Sequence, residues 1–162
     1  MTTESQAMAS QQQEPRPNTK ILAHVVVDDS GSVIDYKLKP GNPQSNPYVT
    51  GPKKIDIPLS PDLYTIEFHL VDTDSKRKLK FDSAMPICAV DGNKCPTSGG
   101  IATKQLGQPG PAQSKKLAIE DYNSAIGPVS FSLFFVDEKN NQPVDPFDPI
   151  ISNRGGGTPP VE

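Results

Sequence analysis

The chain has 162 residues, the size of a single ordinary domain, with 18 prolines, 12 glycines, no tryptophan and 34% hydrophobic residues. So many chain-breaking residues exclude a bundle of long helices and point to short elements joined by turns. A formal charge of -3 leaves no general cationic field for phosphate backbones or anionic lipid, so neither nucleic acid nor a membrane is an expected partner.

Residues 1–18 are rich in Gln, Ser, Thr and Pro, and ordering them would cost backbone entropy with little burial to offset it. They are read as a tail with neither the charged start nor the apolar run of a secretory leader, and the expectation is a soluble, cytoplasmic protein. The folded unit is expected over 19–154, and the glycine-rich 155–162 is read as a second tail.

Within that unit, Thr19 to Asp28 is rich in β-branched residues and is followed by turn residues and the alternating Val33 to Leu38, which predicts a hairpin. The proline-rich stretch 40–47 cannot supply the donors of a central strand and is read as a surface excursion. Ile55, Ile57 and Leu59 alternate with polar residues. Then Tyr64, Ile66, Phe68 and Leu70 take one face of a strand, with Thr65, Glu67 and His69 on the other. The basic run Lys76, Arg77, Lys78 and Lys80 lies among Asp72, Asp74 and Asp82, and reads as a solvated strand edge.

Shorter strands are predicted at Leu79 to Phe81, Met85 to Val90, Ile101 to Leu106 and Leu117 to Tyr122, separated by turn-forming clusters. Val129, Phe131, Leu133 and Phe135 share a face in the last strong element, with Ser130 and Ser132 pointing away. A final extended piece is expected from Phe147 to Ser152. It reads as closing the structure, or alternatively as an exposed apolar edge able to add to a partner's sheet. About seven to nine short strands with one-sided alternation fit an all-β fold, an immunoglobulin-like antiparallel β-sandwich, with a jelly roll as the alternative.

Few residues suggest chemistry. Cys88 and Cys95 bracket an Asp91-Gly92 turn which, as a two-residue hairpin, would set the two sulfurs opposite each other. A disulfide is then geometrically open, while the lack of a secretory leader favours two reduced thiols. His24 and His69 are the only imidazoles, and both lie mid-strand. Glu67 and His69 can touch on the polar face, but no nucleophile motif accompanies them, and the reading is of a protein that is not an enzyme.

Three apolar strands end in acidic turns, at Asp28 and Asp29, at Asp72 and Asp74, and at Asp137. Strands running the same way would bring these carboxylates to one end, where they could hold Ca²⁺, a hard cation that takes about six to eight oxygens from loops. Against this stands the habit of Asp to open β-turns by capping backbone donors. No other cofactor is indicated.

Ile21, Leu22, Val25 and Val26 form an opening I-L-x-x-V-V strand, and Phe147, Asp148, Pro149 and Ile151 a closing aromatic-Asp-Pro-x-Ile segment. In this order of parts, over most of Thr19 to Asn153, the chain resembles the bacterial PixA/AidA inclusion-body protein group. The resemblance implies a β-sandwich with an accessory or storage-like role and no defined activity. The chain departs from it in lacking tryptophan, in the inserted Cys-bearing segment, and in showing no match in its middle.

The functional expectation is a non-enzymatic sandwich acting through protein contacts, above all with itself as a homo-oligomer. The alternative is a Ca²⁺-dependent or carbohydrate-binding module that uses the acidic turns, with Tyr48 or Tyr64 as a stacking surface. An enzyme using Glu67 and His69 is a third reading.

Overall fold

The computed structural model describes residues 17–28, 31–34, 48–72 and 78–157. Twelve strands and no helix are defined among them, so none of the described residues belongs to a helix long and apolar enough to cross a membrane. Six of the strands are pieces of two to four residues; Leu79–Phe81 falls where the sequence predicts it, whereas Val49–Gly51 is too short to leave an alternation pattern of its own.

One five-stranded sheet contains β1 (Asn18–Asp28), β2 (Gly31–Ile34), β5 (Leu63–Asp72), β8 (Leu106–Gly107) and β9 (Lys116–Asp121), in the order β2-β1-β5-β9-β8. The other contains β3 (Val49–Gly51), β4 (Lys54–Ile57), β7 (Ile87–Asp91), β10 (Ile126–Leu133) and β12 (Ile150–Arg154), in the order β3-β4-β12-β10-β7. A small ribbon pairs β6 (Leu79–Phe81) with β11 (Phe135–Asp137).

The inner faces meet in one core. Ile21, Ala23, Val25, Tyr64, Ile66, Phe68, Leu117 and Ile119 come from the first sheet, and Ile55, Ile57, Val129, Phe131, Leu133 and Ile151 from the second, all buried. Phe68 and Phe131 touch across the layers with ring centroids 5.6 Å apart, the interdigitation that the two-residue period of each strand allows.

The sheets are mixed, which corrects the antiparallel expectation. β1 runs parallel to β5 in register from Asn18↔Leu63 to Val27↔Asp72, and β4 runs parallel to β12. The cause is the route of the chain. Between β2 and β5 it visits the second sheet to form β3 and β4, and it re-enters the first beside its own start, where Leu63 N–H donates to Pro17 O at 2.8 Å. From there β5 must follow β1's direction. Side-chain alternation is the same for both directions and carries no information about this choice.

The boundaries of the folded unit also shift. Asn18 belongs to β1, and Gly155 and Gly157 donate their N–H groups to Asn123, so the ends of both expected tails are part of the fold. Residues 1–16 and 158–162, the excursion at 40–47 and most of the predicted second strand of the first hairpin lie outside the described residues. The closing segment is no edge: β12 sits between β4 and β10, with Phe147 and Ile151 buried.

Candidate functional site

The acidic turns do gather in part. The parallel register sets Asp28 and Asp72 at the same end of the first sheet. Asp137, register partner of Leu79, lies close to Asp72, whose Oδ2 accepts from Leu79 N–H at 2.8 Å. Asp29 and Asp74 lie outside the described residues. All three described carboxylates cap backbone donors: Asp28 takes Gly31 N–H at 3.0 Å and Asp137 takes Lys139 N–H at 3.0 Å. No group of three metal-ligating side chains forms among the described residues. The turn-capping role of Asp accounts for the pattern.

At that same end a cavity of about 300 Å³ is lined by Asp28, Ser32, Lys53, Asp145, Phe147 and Asp148 among others. Asp148 Oδ1 accepts from the buried Ser132 hydroxyl at 2.5 Å, which ties one wall of the cavity to β10.

The hairpin expected to oppose Cys88 and Cys95 is not formed. Beyond β7 the chain turns at Gly92, with φ +95°, and folds over the outer face of β10. There Lys94 N–H donates to Ser130 Oγ at 2.9 Å, and Ser132 Oγ lies 2.6 Å from Pro96 O. The two serines are therefore buried under a loop instead of facing solvent. Ala89 bonds instead to Gly100 and Ala102. Both cysteines are free thiols, Cys88 buried and Cys95 exposed.

On the outer face of the first sheet the expected Glu67–His69 contact is present, with Nε2 2.5 Å from Oε1. Lys20 lies 2.9 Å and Lys116 3.7 Å from the same carboxylate. The His69 hydrogen bond, then that of Lys20, pulls the Glu67 carboxyl down to about 2 against the opposing effect of burial. His24, register partner of His69, places its ring 5.5 Å from the latter's. A carboxylate so strongly held in its charged form is a poor general base.

The other end of the sandwich carries what the sequence reading missed. Leu59, expected on the buried face with Ile55 and Ile57, is 74% exposed. β4 ends at Ile57 because Pro58 has no N–H to continue the ladder, and the chain leaves the sheet before Leu59. Ile126, the first residue of β10, is 83% exposed.

Both side chains rest on the glycines that follow β12. A methyl group at Gly155 would come within 3.1 Å of Ile126 Cγ1, and one at Gly156 within 3.1 Å of Leu59 Cδ1. Beside them Tyr48, Asp56, Pro58, Leu59 and Arg154 border a shallow cavity of about 590 Å³. Tyr64 offers no stacking surface there, since it is 2% exposed and packs edge-on against Tyr48 at 5.7 Å.

A buried polar clamp holds this end rigid. Asn123 sits at φ +51°, a left-handed conformation that Asn tolerates better than most residues. Its Nδ2 donates to Pro58 O at 2.9 Å and to Gly155 O at 2.9 Å, while its Oδ1 accepts from Gly155 N–H at 2.9 Å. Gln105 Oε1 accepts from Ser124 and Ala125 N–H and from Asn153 Nδ2. The loops bearing Leu59 and Ile126 are thus stitched to both sheets. A strong signal for Asn123 in the sequence is lacking, because its partners are main-chain groups far along the chain, 65 residues away at β4's exit and 32 residues away at β12's.

No family model matches the chain, and no curated protein does.

Proposed function

We propose that this chain is a non-enzymatic β-sandwich acting through protein contacts, and that its first partner is a second copy of itself, docked through the Leu59–Ile126 end. The observation that carries the reading is the pair of large aliphatic side chains, 74% and 83% exposed, on loops held by the Asn123 clamp. A rigid apolar anchor loses little conformational entropy on docking. Asp56 and Arg154 border the same surface, so a twofold axis through the apolar centre would set each copy's arginine against the other's aspartate.

Association by strand addition has less support. Among the described residues the edge strands β3 and β8 have only three and two residues, and β7 is covered by the Gly100–Ala102 segment, which are devices that blunt an edge. Within the all-β class the immunoglobulin-like arrangement remains our reading, supported by two five-stranded sheets over one core, and membership of the PixA/AidA group remains a proposal. Light scattering coupled to size-exclusion chromatography tests the self-association. The wild type is expected to dimerise at high concentration and Leu59→Asp/Ile126→Asp to stay monomeric. A wild type that is monomeric throughout refutes it.

The alternative, a Ca²⁺-dependent or carbohydrate-binding module, is favoured by one observation, the cavity bordered by Asp28, Asp145 and Asp148. Calorimetric titration with Ca²⁺ decides it: no heat and no thermal shift ends that version.

A further inference from the structure

Beneath the clamp lies Asp121, the only carboxylic acid without exposed surface among the described residues. Its Oδ1 accepts from Asn123 N–H at 2.8 Å. Its Oδ2 has no hydrogen-bond partner, and neither has Oδ1 of Asn153, whose side chain faces the carboxyl. Both atoms are acceptors, so what the pocket lacks is a donor. A buried carboxylate with a lone pair unmet is costly, whereas a neutral carboxyl brings a hydroxyl donor of its own.

Among the described residues no cation acts on it. Across β9 the register partners of Asp121 are Tyr64 on β5 and Leu106 on β8, and β12 contributes Asn153. The neighbouring charged residues, Glu120 on β9 and Arg154 on β12, alternate to the opposite side of their strands. The one titratable group facing it is the Tyr64 phenol, itself pushed up by burial, with Tyr48 and Asp62 beyond it.

We infer that Asp121 is a neutral carboxylic acid in the folded protein below neutral pH, and that loss of its proton to solvent loosens the clamp, beginning at β8. β8 is the weakest cover, a two-residue edge strand paired on one side only. It is tied to the clamp through Gln105, whose carbonyl accepts from Tyr122 N–H at 2.8 Å. Once β8 lifts, water reaches the carboxylate. The inference concerns the interior of this end and stands whether or not its surface binds a partner.

Burial outweighs the Asn123 N–H bond and the nearby Asn153 amide and pushes the acid up to about 7 from 3.8. Between those values the native state holds a proton that the unfolded chain has released. Stability therefore falls as pH rises through this window and levels off above it.

The test is a carboxyl ¹³C titration of Asp121 in the full chain, with thermal melts and hydrogen exchange. A midpoint within about one unit of 7, and a melting temperature about 5 °C lower at pH 8 than at pH 5.5, are expected. Asp121→Asn should abolish that slope. Exchange at Leu106, Gly107 and Tyr122, corrected for its intrinsic pH dependence, should accelerate over the same range. A midpoint below 5 overturns the inference, and so does an equal slope in Asp121→Asn, which would assign the effect to His24 and His69. Unchanged exchange at Tyr122 despite a midpoint near 7 overturns the loosening. Should the variant not fold, the carboxyl titration and wild-type exchange decide.

Discussion

Asn123 and Gly155 are joined by two hydrogen bonds, the side-chain amide of one pairing with the peptide N–H and carbonyl of the other, each at 2.9 Å. The side chain thereby imitates a neighbouring strand and closes the lower end of the sandwich, where β9 of one sheet and β12 of the other would otherwise splay apart. Residues that replace main-chain pairing in this way are hard to substitute, because the partner groups are buried and have no water to turn to.

Asn123→Ala is therefore expected to cost about 2–4 kcal/mol, from the main-chain groups left unpaired and from an alanine forced into left-handed backbone. Urea unfolding measures it. Asn123→Gly should recover only the backbone part, and a loss below about 0.5 kcal/mol in the alanine variant would show that the clamp does not hold this end.

Glu67 sets the acid limit of stability. Its carboxyl is drawn down to about 2 by His69 and Lys20, so the folded state holds the charged form where the unfolded chain would already be protonated. The associated stability is fully present above about 4.5 and is lost as pH falls through about 2. Part of the group is reached by solvent, and the contribution is small, within about 1 kcal/mol. Glu67→Gln should show a shallower loss of melting temperature between pH 4.5 and 2 than the wild type, with little change at pH 7. Identical acid limbs would remove Glu67 from the account. Asp121 acts in the opposite sense between about 4 and 7, so the combined contribution of these two carboxyls is largest near pH 4.

The two thiols should differ sharply in reactivity. Cys95 is exposed and Cys88 buried, and neither is bonded to the other. Alkylation of the native protein should add one group and alkylation in denaturant two, as read by intact mass. A native mass two hydrogens light, with no labelling before reduction, would show that the disulfide forms after all.

Much of the architecture is written in the period-two pattern. Tyr64, Ile66, Phe68 and Leu70 all face inward as their spacing requires, and so do Val129, Phe131, Leu133 and Phe135. Ile21, Val25, Phe147 and Ile151, four of the eight residues in the opening and closing segments on which the resemblance rests, are core residues. The pattern was silent where burial is decided by distant chain. Ser130 and Ser132 look like outward residues and are covered by the loop after Gly92. Leu59 looks like a core residue and is released by Pro58. Asp121 closes an ordinary alternating strand, and nothing local marks it as the acid that receives no water.

The parallel pairing of β1 with β5 also governs how the molecule can be assembled. Asn18 and Thr65, whose side chains bond at 3.0 Å, are 47 residues apart. β1 is thus made before its partner β5 and must wait, with only the β2 hairpin for company, until the chain has laid down part of the opposite layer and come back. Closing so wide a loop costs entropy before any contact repays it. Refolding should consequently run in milliseconds to seconds, and the unclaimed flank of β1 is the place where a chaperone or a neighbouring nascent chain would find it.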